Sequence, residues 1–164
     1  MPLAIGDHAT RVAAATGWLE SQCGDYAPLR RRFIAGYFRF IVAQIEMHRA
    51  ELAERLIPYD GLYAPEDFLW SALRPLPRGW VPAGGHLLPA DIVFWDGTKA
   101  IALELAARET EKQKALMARG IAVYRVGPSV LDRLHEILPE LFKAFWRGQT
   151  LPSSPFRRAM PRLV

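Results

Sequence analysis

The chain is almost free of cysteine. Cys23 stands alone, which excludes an internal disulfide framework and any zinc site built on several thiolates. No apolar run approaches the roughly 18–20 residues that a membrane-spanning helix needs. The opening stretch, MPLAIGDHATRVAAATGW, carries an early acid and only short apolar patches, so it does not read as a signal peptide. These absences fit a cytoplasmic protein with no membrane segment. Internal repeats and low-complexity segments are lacking too. Acids stop at Glu140, whereas Lys143, Arg147, Arg157, Arg158 and Arg162 follow it. The formal net charge of +4 is therefore a property of the tail, and the first 140 residues carry −1. A basic tail binds phosphates without sequence preference through counterion release, or simply keeps the chain end solvated.

What is present is ordinary for a soluble domain. Half the residues (51%) are hydrophobic and 23% are charged, in a chain of 164 residues that is long enough for one sizeable core. Residues 1–58 read as an N-terminal helical extension. A short helix spans about 10–22, and a longer one runs from about 29 to 56 behind Pro28. In the second, Ile34, Phe38, Ile41, Ile45, His48, Leu52 and Leu56 recur at steps of three and four. Such a stripe packs on the core, on another helix or on a second copy, so a homodimer through residues 29–56 is one of its readings. Pro58-Tyr59-Asp60-Gly61 marks the boundary to a second region over 59–147. There a short helix is expected over 64–74, stopped by Pro75 and Pro77. An edge strand follows over 79–83, then a hairpin through Asp96-Gly97, a charged helix over 108–119 and a strand over 121–126. A last helix starts near Ser129, an N-cap candidate, and contains Pro139. The tail, residues 148–164, has no period and is expected to be extended.

The stretch from Ala90 to Val126, ADIVFWDGTKAIALELAARETEKQKALMARGIAVYRV, organises the rest. On its second strand Ile101, Leu103 and Leu105 share one face, while Ala100, Ala102, Glu104 and Ala106 share the other. Glu104 is thus a single carboxylate in an apolar strand. Burying an unpaired carboxylate costs several kcal/mol, so a cation, a metal ion or a basic neighbour such as Lys99, Arg108 or Arg125 should compensate it. Asp91, at the head of the antiparallel neighbour, is the obvious second carboxylate.

Several pieces then stand in a telling order: Glu66, Leu69-Trp70, Leu73-Arg74, Ala90-Asp91-Ile92-Val93-Phe94, Ile101 to Leu105, and Ala118-Arg119-Gly120 to Val126. The series helix, strand, hairpin, helix, strand, helix resembles the PD-(D/E)XK nuclease-like superfamily, most closely its very-short-patch-repair-like branch. The match covers about residues 64–131. It implies an α/β fold with a mixed sheet of about four strands flanked by helices, and a magnesium-dependent endonuclease acting on DNA. By the same resemblance Asp91 and Glu104 hold the metal and Glu66 assists. A lysine or acid two residues beyond the second carboxylate helps to orient the attacking water. Here that position is Ala106. Lys112 or Lys114 on the next helix is the expected replacement, with Arg108, Lys99, Arg157 and Arg158 as candidate DNA contacts. The alternative is a degenerate site on a nuclease-like fold, serving as a non-catalytic nucleic-acid-binding or protein-interaction module.

Overall fold

The computed structural model describes residues 7–24, 27–59, 61–70, 72–83, 85–95, 100–106 and 110–145. The architecture is mixed α/β. Helix α1 (His8–Ser21) starts where the Asp7 carboxylate accepts the Thr10 amide at 2.8 Å, a side-chain cap. Helix α2 (Pro28–Met47) opens on proline, whose fixed φ suits a first turn. One continuous helix to residue 56 is corrected here. His48 leaves helical geometry (φ −104°, ψ 15°), and a separate helix α3 (Arg49–Leu56) follows. The apolar stripe runs through both, and Ile34, Phe38, Ile41, Ile45, Leu52 and Leu56 are all buried within the chain's own core.

The segment Pro65–Trp70 is a 3₁₀ helix rather than an α-helix; the Asp67 carboxylate accepts the Ala64 amide at its start. Pro75 and Pro77, expected as stops, instead lie in strand β1 (Pro75–Pro77). An edge strand tolerates proline because one of its sides needs no ladder donor. Strands β2 (Trp80–Ala83) and β3 (His86–Pro89) form their own antiparallel hairpin. The main sheet adds β4 (Ile92–Trp95), β5 (Ala100–Glu104) and β6 (Ala122–Arg125), in the order β1-β4-β5-β6. β4 is antiparallel to β1 and β5, and β5 is parallel to β6. The short helix α4 (Glu111–Met117), capped by the Thr110 hydroxyl, makes the β5–β6 crossover that a parallel pair requires. A 3₁₀ turn over Pro128–Arg133 leads into α5 (Leu134–Phe145), so Ser129 lies inside that turn and caps nothing.

The two faces of β5 divide as alternation demands. Ile101, Leu103 and Leu105, with Ile92 and Phe94, join the large core of α1, α2, α3 and α5. Phe94 meets Tyr37 and Phe33 of α2 at ring-centroid distances of 5.5 and 6.2 Å. The Tyr37 hydroxyl, held deep in this core, donates to the Leu73 carbonyl. Ala102 and Val93 face a second, smaller core with Val81, Ala90 and Leu116. Gly79 lets the β2–β3 hairpin descend onto this face: a Cβ there would lie 2.7 Å from Cβ of Val93. Among the described residues no helix is long and apolar enough to cross a membrane.

Candidate active site

The antiparallel register pairs Ile92 with Leu103, which sets Asp91, one residue before β4, opposite Glu104, the last residue of β5. Opposed residues of an antiparallel pair project to the same face. The two carboxylates are also joined through the backbone. The Asp91 amide donates to Oε1 of Glu104 at 3.3 Å, and the Leu105 amide donates to Oδ2 of Asp91 at 2.9 Å. The Asp91 carbonyl accepts the Arg78 amide at 2.9 Å, tying the site to the base of the β2–β3 hairpin.

Two cations converge on this pair. Lys112, in the first turn of α4, places Nζ 2.7 Å from Oε2 of Glu104 and 3.9 Å from Oδ1 of Asp91. Arg30, in the first turn of α2, donates through Nε (3.1 Å) and Nη2 (2.8 Å) to that same Oδ1. Its Nη1 donates to the Cys23 carbonyl at 3.1 Å, so the α1–α2 junction is clamped to the site. Glu104 is only 1% exposed. Burial pushes its carboxyl above the ordinary range, the hydrogen bond from Lys112 pulls it back, and the neighbouring Asp91 charge adds to the upward push.

The other expected residues separate from this group. Glu66 heads the 3₁₀ helix and is bound by Arg49 at 2.6 Å, with Glu46 on the same guanidinium. Among the described residues no third acid gathers with Asp91 and Glu104 into a group able to hold a metal, so Glu66, engaged by Arg49, is not brought into the pair. Lys114 points away and pairs with exposed Glu111 at 2.7 Å. Two residues along a helix are about 200° apart, so Lys112 and Lys114 cannot share a target. Arg125 is the register neighbour of Glu104 on β6, yet the carboxylate pairs with Lys112 instead. Lys99, Arg108, Arg157 and Arg158 lie outside the described residues.

Sequence reasoning missed Arg30. It is one of three consecutive arginines 61 residues from Asp91, and no pattern singles it out. Comparison with family models, with curated proteins and with solved structures finds no match.

The donor set decides what the pair can hold. It offers carboxylate oxygens only, and among the described residues no three His, Cys, Asp or Glu side chains gather into a cage. Two carboxylates suit a hard cation that keeps several waters, such as Mg²⁺ or Mn²⁺, and do not suit zinc with its nitrogen and sulfur ligands.

Proposed function

We propose that this chain is a divalent-cation-dependent phosphodiester hydrolase acting on DNA in a cytoplasmic setting. In this reading it is a nuclease of the PD-(D/E)XK kind whose lysine has moved from the strand to the following helix. One observation carries it: the Lys112 ammonium meets two carboxylates from adjacent strand ends at 2.7 and 3.9 Å. Ala106, two residues beyond Glu104, offers no functional group, and Lys112 supplies the charge from α4 instead.

Asp91 and Glu104 would hold the ion, which when bound polarises a phosphoryl oxygen and lowers the pKa of an attacking water. Lys112 offsets the negative charge that grows on the phosphoryl group in the transition state. Arg30 and the Leu105 amide hold the Asp91 carboxylate in one orientation, the supporting role that outer groups play around metal ligands. Glu66 has no part in this reading, because Arg49 engages it.

A second reading is favoured by the closure of the network. Each carboxylate oxygen of Asp91 and Glu104 already has a partner, and two cations balance two anions. A non-catalytic nucleic-acid-binding module would look the same. Supercoiled plasmid with Mg²⁺ or Mn²⁺ separates the two. The hydrolase reading expects nicking that is abolished by Asp91→Ala and by Glu104→Ala. Nicking that survives both substitutions removes the site assignment, and salt-dependent DNA binding without cleavage gives the second reading.

A further inference from the structure

The segment Arg78-Gly79-Trp80 crosses directly beside Asp91, and three independent features of it go unused in the chemistry above. The Arg78 amide donates to the Asp91 carbonyl and the Ala90 amide donates to the Gly79 carbonyl at 2.8 Å, so the segment cannot drift from the site. Arg78 adopts φ +54°, a left-handed conformation that a side chain rarely takes and that glycine would occupy freely. The chain holds an arginine there, an exposed residue whose side chain runs beside Gly24. Trp80 is 62% exposed although its strand neighbour Val81 is fully buried in the second core. Alternation along β2 turns the indole to the outer side. Its cross-strand partner is Pro89, two residues before Asp91 and therefore about 6–7 Å from it along the strand.

We propose that Arg78 and Trp80 form a binding site for a single-stranded polynucleotide, with Trp80 stacking on one base and Arg78 on an adjoining phosphate. This inference rests on the nuclease reading and names its substrate class. An exposed indole offers a π-face that any base can stack on, and duplex DNA does not present one without unstacking. The charge around the segment suits a polyanion. Arg78 is exposed, and beyond it the Asp91 and Glu104 carboxylates are balanced by Arg30 and Lys112, so the net charge beside the indole is that of Arg78. A protein partner would also meet Leu87, exposed on the same hairpin, but it would not account for the strained arginine.

The test is fluorescence anisotropy of labelled twelve-nucleotide single-stranded DNA, single-stranded RNA and duplex DNA, in EDTA so that no cleavage occurs. The expected result is tighter binding of the single strands than of the duplex. Trp80→Ala should lose about tenfold in affinity, the range of one base–aromatic stack, and Trp80→Phe should retain most of it. Arg78→Gly should keep or raise the thermal midpoint while the slope of log affinity against log salt falls by about 0.7. The DNA and RNA arms decide which strand is preferred. Unchanged affinity in Trp80→Ala overturns the proposal, as does equal or tighter binding of the duplex. Loss of self-association in Trp80→Ala with unchanged oligonucleotide binding overturns it in favour of a protein interface. Because these readings need no divalent ion, they stand or fall apart from the nicking assay.

Discussion

The Lys112 ammonium lies 2.7 Å from Oε2 of Glu104, and it reaches that carboxylate from the helix after the strand, not from the strand itself. Removing it leaves an almost fully buried carboxylate whose remaining hydrogen bond among the described residues is the 3.3 Å contact from the Asp91 amide. Lys112→Met should therefore lower stability by about 1–3 kcal/mol, less than for a fully buried pair because the lysine is one-third exposed. Cleavage should fall at least about a hundredfold, the range for loss of one preorganised charge. Lys114→Met, which breaks only an exposed pair with Glu111, should change stability by less than about 0.5 kcal/mol. Urea unfolding of both variants checks the contrast.

Ala106 lies two residues past Glu104, just beyond the end of β5, the position from which a lysine on a longer strand would act. If Lys112 has taken over that charge, Lys112→Ala should be rescued in part by Ala106→Lys in the same chain. Nicking rates of the single and double variants decide it. A double variant as inactive as Lys112→Ala would mean that the lysine acts through its place on α4 and not as a transferable charge.

The raised Glu104 carboxyl gives a pH dependence of known sign. Burial favours the protonated acid in the folded chain, so between the ordinary carboxyl value and the raised one the folded state holds more protons than the unfolded state. Stability from this group is full below the unfolded value and is lost as pH rises through the folded one. Glu104→Gln should remove that part of the slope in urea midpoints. Activity should run the other way, rising through the same window as the carboxylate forms. Identical midpoint-against-pH curves for wild type and Glu104→Gln would show that the carboxyl is not raised.

Gly79 lets the β2–β3 hairpin approach the main sheet closely. An added Cβ would meet Cγ2 and Cβ of Val93 at 2.5 and 2.7 Å and the Leu76 carbonyl at 3.2 Å. Cβ of Val93 and a backbone oxygen cannot swing aside, so Gly79→Ala should cost about 1–3 kcal/mol. Val93→Ala in the same chain should restore only part of that loss, since its Cβ remains. Thermal unfolding of the single and double variants measures both.

Much of the site's scaffold was legible because it is local. Alternation along residues 100–106 separates Leu103 from Glu104 whatever the rest of the chain does, and a carboxylate among alanines demands a nearby cation. The mixed sheet was expected through the nuclease-like resemblance that the order of hairpin, helix and strand carries, and the structure has it. Lys112 and Lys114 stayed equivalent in the sequence, because choosing between them needs the start of α4 at Glu111, and therefore the rotation of the helix. Arg30 was invisible for a different reason: its bond to Asp91 spans 61 residues, and tertiary packing alone selects it from its two arginine neighbours. Glu66 is an ordinary first-turn acid in the sequence, and its capture by Arg49 depends on how α3 packs against the 3₁₀ helix. The break at His48 and the two prolines of β1 are likewise tertiary outcomes, where packing overrode a continuous helical stripe and a pair of apparent stops.

The most direct measurement of the central claim is a Mn²⁺ titration followed by electron paramagnetic resonance on the purified chain. The account predicts one bound ion per chain, lost in Asp91→Asn and in Glu104→Gln, and retained or tightened in Lys112→Ala, where the competing ammonium is gone. Absence of Mn²⁺ binding by the wild-type chain, or binding that both carboxylate variants keep, would contradict it.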